Sequence, residues 1–166
     1  MKIKSWKAAA IAGCLIAAAG AATALAQGQG TAEKFERFSD DSLNWFDYPG
    51  DGGKMGVKEA ILYGDPSKPG LYVVRIKWPK NTMSRPHSHP EDRFITVIKG
   101  TWWTGVDGNW DPARTTPVPA GSAMLHPHGH IHYDGARDEE TIIELIGIGP
   151  SRLINANPGT PDFAKF

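Results

Sequence analysis

Gly121-Ser122-Ala123-Met124-Leu125-His126-Pro127-His128-Gly129-His130-Ile131-His132 is the stretch on which the reading of this chain turns. An apolar run of strand length ends on a histidine, Pro127 and Gly129 impose a turn, and a second β-prone run begins at Ile131. The remaining histidines of the 166-residue chain stand together upstream, in His87-Ser88-His89. Residues i and i+2 of a strand face the same side, so His-x-His presents two imidazoles to one ion. Two such clusters, each in a β-like segment bounded by Gly and Pro, read as one shared metal site. The alternatives are solvated histidines and a loose metal-scavenging tract.

Outward from these clusters the pattern is all-β. Apolar, β-branched runs of strand length cover residues 57–63, 71–78, 93–99, 101–104, 122–126, 131–133 and 141–148. Asp65-Pro66-Ser67-Lys68-Pro69-Gly70 and Asp107-Gly108 are turn signals between them. The one helical pattern, Glu33-Lys34-Phe35-Glu36-Arg37-Phe38, predicts a short N-terminal arm. Many short strands at regular spacing predict an antiparallel sandwich or barrel enclosing a ligand cavity. No repeat or linker marks a second domain.

The histidine-bearing segments resemble the cupins, small jelly-roll barrels with two motifs, G-x5-H-x-H-x(3,4)-E-x6-G and G-x5-P-x-G-x2-H-x3-N. Gly121, Pro127-His128-Gly129 and His132 fit the second, with Ala136 where Asn is usual. Asn81, His87-Ser88-His89 and Gly100 fit the first, with Asn81 for its glycine and Arg93 for its glutamate. Asn is the residue next most tolerant of a left-handed backbone, so Asn81 is a mild change. The segments His87-Ser88-His89-Pro90-Glu91, Gly100-Thr101-Trp102-Trp103 and His132-Tyr133-Asp134-Gly135-Ala136 are similar to those of small bacterial cupins. The resemblance implies a cupin-type jelly-roll β-barrel with His87, His89 and His132 as metal ligands.

Its glutamate ligand has no counterpart, because a guanidinium stays protonated and cannot coordinate. His126 is a candidate fourth ligand, Glu91 or Asp92 could reach the ion from one or two positions away, and a bare three-histidine site resembles those of cysteine-dioxygenase-type and diketone-cleaving cupins. A histidine-only site is favoured. Neutral imidazoles leave a divalent ion its full charge, and an inward Arg93, sharing a face with Ile95 and Val97, adds to it. Such a cavity wants an anion, with Arg93 or Arg75 as the clamp. Arg93 could instead reach solvent or pair with Glu91 or Asp92, and Arg75 could pair with Glu144. Asp134 shares the face of His132 and is a candidate acceptor orienting an imidazole N–H. His128 and His130 are expected at the barrel mouth. Trp102 and Trp103 must face opposite sides.

At the N-terminus, Lys2, Lys4 and Lys7 precede an alanine-rich apolar run that ends in Ala24-Leu25-Ala26, the pattern of a cleaved secretory signal. The expected organisation is a signal peptide over residues 1–26, an arm over 27–55, the barrel over 56–150 and an extension over 151–166. Ile11-Ala12-Gly13-Cys14 offers a competing lipobox with lipid attachment at Cys14. Cleavage at Ala26 gives a periplasmic or secreted chain with no stable membrane insertion and no cysteine. Its 15 Lys and Arg against 18 Asp and Glu give a charge of −3, which offers nucleic acid no basic face. The function expected is an Fe(II) dioxygenase-like oxidoreductase acting on a small anionic molecule, with Zn, Mn, Ni or Cu as alternative ions. A metal-dependent isomerase or lyase on a sugar acid is the alternative, as is a periplasmic binding protein. A homodimer covering edge strands is expected.

Overall fold

The computed structural model describes residues 34–166, so the segment expected to be a signal peptide and Cys14 lie outside the described residues. In chain order the elements are β1 (Phe46–Asp47), α1 (Asp51–Lys54), β2 (Lys58–Tyr63), β3 (Gly70–Trp78), β4 (Thr82–Ser84), β5 (His87–Ser88), β6 (Arg93–Lys99) and β7 (Thr101–Gly105). They continue as β8 (Thr116–Pro119), β9 (Ala123–His126), β10 (Tyr133–Ala136), β11 (Thr141–Gly149), β12 (Ile154–Asn155) and β13 (Phe163–Lys165). One sheet runs β1-β2-β3-β11-β6-β9, a second β13-β4-β10-β7-β8, and β12 pairs with β5. All pairings are antiparallel.

Period-two alternation decides what faces inward. Tyr72, Val74, Ile76 and Trp78 of β3 are buried, while Val73, Arg75 and Lys77 turn outward. β6 buries Arg93, Ile95 and Val97 in the same way. In β11 a register shift between Ile142 and Ile143 breaks the alternation, so both are buried. Trp102 is buried and Trp103 faces outward under the Arg137 guanidinium, 4.4 Å from its ring centroid. Gly147 lies beside Tyr72, whose hydroxyl would stand 2.5 Å from an added Cβ. The small residue makes room there for the phenol. Asn81 takes φ +56°, the left-handed turn for which the resemblance allows Gly or Asn.

The structure departs from the sequence expectations in four places. Residues 34–38 form no helix, and the first helical turn is a 3-10 turn at Asp40–Ser42. Phe35 is 99% exposed, so this stretch lacks the apolar burial that a short helix needs. The segment expected as a C-terminal extension is built into the barrel: β13 pairs with β4, and Phe163 packs 5.4 Å from Tyr48 and 5.5 Å from Trp78. The strand expected over 131–133 starts later, at Tyr133, because His132 bridges to His87 instead. β8, with Pro117 and Pro119, carries no strand signal in sequence, and it sits at a sheet edge, where missing N–H groups are tolerated. Among the described residues no helix is long and apolar enough to cross a membrane.

Candidate metal centre

The histidines are brought together by pairing rather than by proximity in sequence. His87 and His132 exchange backbone hydrogen bonds, each N–H to the other's carbonyl at 2.9 Å. His89 follows on the same face of its segment as His87, with Ser88 turned away. The β6–β9 ladder sets Arg93 opposite His126. Asp134 projects from β10 two residues after His132. His87, His89, His126, His132, Asp134 and Arg93 are all buried.

Ring centroids lie 4.8 Å apart for His87 and His89, 4.4 Å for His87 and His132, and 3.9 Å for His126 and His132. Two groups of potential ligand atoms, His87–His89–His132 and His126–His132–Asp134, each fall within 4.8 Å of one another and share His132. Three of the imidazoles are fixed in one tautomer. Nδ1 of His87 meets the Arg85 carbonyl at 2.7 Å, that of His89 the Arg152 carbonyl at 2.8 Å, and that of His132 the His130 carbonyl at 3.0 Å. A carbonyl only accepts, so each Nδ1 carries the hydrogen and each Nε2 keeps its lone pair. This backing of a ring N–H by a carbonyl is the usual support of a metal-ligating histidine.

Nε2 of His89 and His132, both ring nitrogens of His126 and Oδ2 of Asp134 are buried with no hydrogen-bond partner. Buried polar atoms without partners are costly, and these converge on one region. Burial also keeps the imidazoles neutral. The His132 pKa falls to about 4, by desolvation and then by the charge of Arg93. His87 and His126 are pushed down by burial and by His132, and His89 by burial and by Arg93. Neutral imidazoles with free lone pairs fit a divalent ion, and the buried histidine groups could hold one.

Asp134 differs from the sequence expectation. The N–H of His132 goes to the His130 carbonyl, and Asp134 Oδ2 lies instead 3.6 Å from Nε2, on the coordinating side of the ring. Burial raises its pKa to about 7, against the lowering effects of Arg93 and the Ser84 hydrogen bond. Arg75 is a second departure. It occupies an outward position of β3 and bonds Glu144 at 3.0 Å and Asp40 at 2.7 Å, away from the histidines. Neither nearby acid joins the centre: Glu91 accepts from the Tyr72 hydroxyl at 2.8 Å, and exposed Asp92 accepts from the backbone and ring of His128. His128 and His130 are exposed.

A cavity of about 380 Å³ adjoins the centre, lined by His89 and Arg93 at its inner end and by Tyr48, Glu59 and Tyr72 along its wall. Sequence reasoning missed Glu59 and the two phenols. The alternation of β2 and β3 could have placed Glu59 and Tyr72 inward, but nothing in the sequence ties the Tyr48 loop to the cavity. Burial raises the Glu59 pKa to about 6 and the Tyr48 pKa to about 12.

No protein-family model and no curated protein sequence matches the chain. Solved structures do. The polyketide cyclase RemF from Streptomyces resistomycificus aligns with TM-score 0.64 and 17% identity, over 78% of this chain and 90% of that one. The DMSP lyase DddQ from Ruegeria pomeroyi aligns with TM-score 0.57 and 15% identity, over 72% and 64%. An RmlC-like cupin from Shewanella frigidimarina aligns with TM-score 0.50 and 21% identity, over 69% and 91%. These alignments establish a likeness of fold: the chain has the all-β jelly-roll fold of these cupin structures, with His87, His89, His126 and His132 gathered inside the barrel.

Proposed function

We propose that the protein is an exported metalloenzyme that acts on a small organic anion inside the barrel. The observation that carries this reading is the set of three Nδ1–H groups committed to backbone carbonyls, which leaves the Nε2 lone pairs of His87, His89 and His132 free. A bound divalent ion would supply Lewis acidity or redox chemistry. The chain's own residues do the rest. The carbonyls hold the imidazoles in one tautomer, the apolar wall excludes water, and Glu59, with a pKa of about 6, is poised to take or give a proton near neutral pH. That carboxyl supports a non-redox reaction such as a lyase or isomerase step, as do the names of the cyclase and lyase among the structural neighbours. The Fe(II) dioxygenase-like reading is supported by the predominantly imidazole donor set, which leaves the ion most of its charge. Export is supported by the Lys2–Ala26 pattern. A homodimer is supported by Leu125, Phe94 and Ile146, adjacent in register on the outer sheet face and 53%, 49% and 37% exposed.

Elemental mass spectrometry of the untagged protein and its His132→Ala variant tests the reading. Near-stoichiometric metal lost in the variant is expected, and undiminished metal in the variant would sink the assignment. Iron or copper with substrate-dependent oxygen uptake selects the oxidoreductase; zinc, manganese or nickel without oxygen uptake selects proton-transfer chemistry.

A further inference from the structure

Arg93 is 8% exposed, and its side chain makes no hydrogen bond or ion pair among the described residues. It lines both the cavity beside the histidines and the larger one that opens past Tyr48 and Tyr72. A buried guanidinium without a partner is costly, and replacing such a charge by an apolar residue is often stabilising. A fold retains it at a cavity wall when its partner arrives from outside. The remaining wall says what accompanies that partner. Apolar atoms make up most of its surface, those of Val74, Ile76, Leu145, Leu153 and Phe163 among them, with Tyr48 and Tyr72 adding ring faces and Ser67, Ser151 and Arg152 adding polar groups. A polyol set against the apolar part of that wall would lose the hydrogen bonds it makes to water. Two acids, Glu59 and Asp162, share this wall and a third, Asp134, lines the smaller cavity, and among the described residues none is within ion-pair distance of Arg93. Asp162 accepts instead from the Asn155 amide at 2.8 Å.

The geometry points to a substrate class: a carboxylate with an aromatic or alkyl body, its carboxylate on Arg93 and its body against the apolar wall, rather than a sugar acid. This rests on the reading of the barrel interior as a substrate site. It does not require the metal for binding, because Arg93 provides the charge.

Calorimetric titration of chelator-treated and metal-loaded protein with phenylacetate, 2-phenylethanol and gluconate tests it. Phenylacetate should bind both forms, with 2-phenylethanol and gluconate at least tenfold weaker. Arg93→Met should weaken phenylacetate at least tenfold while melting no lower than the parent. Arg93→Lys, which keeps the charge but loses the planar fork, should fall between. Gluconate binding as tightly as phenylacetate would overturn the class, undiminished phenylacetate binding by Arg93→Met would overturn the anchor, and no binding of any probe would overturn both. Failure of the metal assignment is read separately: the His132→Ala variant would keep its metal, whatever phenylacetate does on the metal-free protein.

Discussion

Asp134→Asn should stabilise the metal-free protein and weaken the metal-loaded one. Asp134 is buried, its Oδ2 has no hydrogen-bond partner, and its pKa is raised from 3.8 to about 7. The folded state therefore holds this proton more tightly than the unfolded state does. The stability it contributes is fully present below the unfolded pKa and is lost as pH rises through about 7. A rise from 3.8 to about 7 corresponds to at most ~4 kcal/mol at pH 8, and relaxation of the site brings the expected range to ~1–4 kcal/mol. Asparagine keeps the shape, can still meet Ser84 and never ionises. The depressed histidine pKa values act in the opposite direction, with stability present above 6.5 and lost as pH falls, but they are common to both proteins. Urea unfolding of the two chelator-treated proteins from pH 5 to 8 isolates the difference. The curves should be closest at the acid end, approaching one another only toward the unfolded pKa of 3.8, and separate progressively to ~1–4 kcal/mol at pH 8, the variant being the more stable. In competition titrations with a chromogenic chelator, the variant should bind metal 10–100-fold more weakly. Parallel pH–stability curves would refute the burial argument, and unchanged metal affinity would remove Asp134 from the centre. A merely disruptive substitution would lower both quantities, so the opposite signs are the signature.

Trp102 is 1% exposed and stacks on His126 at 5.3 Å, so Trp102→Ala should cost about 3–5 kcal/mol in chemical denaturation and loosen the fourth histidine. Arg75→Ala removes an ion-pair network on the outer face; it should cost under about 1 kcal/mol by thermal melting and leave metal content unchanged, and loss of metal would contradict its outward placement. Phe94→Glu puts a charge in the middle of the exposed apolar row, and if this face forms the proposed homodimer, light scattering should show a dimer for the parent and a monomer for the variant, with metal content retained. An unchanged mass would remove this face from the interface.

The long strands were legible because their alternation is strong. The run 93–99 predicted from sequence is β6 itself, and 71–78 differs from β3 by one residue. The short strands were not. β4, β5, β12 and β13 span two or three residues each, too few for periodicity to register, and they exist because pairing partners supply their hydrogen bonds. The same distinction runs through the site. Spacing pointed to one site shared by the two histidine clusters, the cupin resemblance singled out His87, His89 and His132, and the structure brings their ring nitrogens together. The inward direction of Arg93 follows from its parity with Ile95 and Val97. Arg75 has the opposite parity from Tyr72 and Val74, which placed it outside. What no parity argument could supply was the carbonyl partner of each imidazole. The His89 partner is Arg152, from a segment that carries no motif.

Arg93 and Asp134 are best understood together. The cupin resemblance puts a carboxylate at position 93, and the chain has a guanidinium there instead, while a buried carboxylate with an unpartnered oxygen stands on β10, at Asp134. One acid beside neutral imidazoles lowers the charge of a divalent ion, and one guanidinium raises the potential around it again. With both present, the cavity keeps a net attraction for anions whether or not Asp134 is ionised. If Arg93 only compensated Asp134, the two would be within ion-pair distance; among the described residues no such pair exists, and the charge of Arg93 acts on Asp134 without contact, as it does on Tyr48, Tyr72, His89 and His132 around the cavity. A double variant, Arg93→Met with Asp134→Asn, separates the two roles. If the residues act independently, its loss of phenylacetate binding should match that of Arg93→Met alone and its loss of metal that of Asp134→Asn alone. Recovery of either property in the double variant would show that the two charges serve each other rather than ligand and ion.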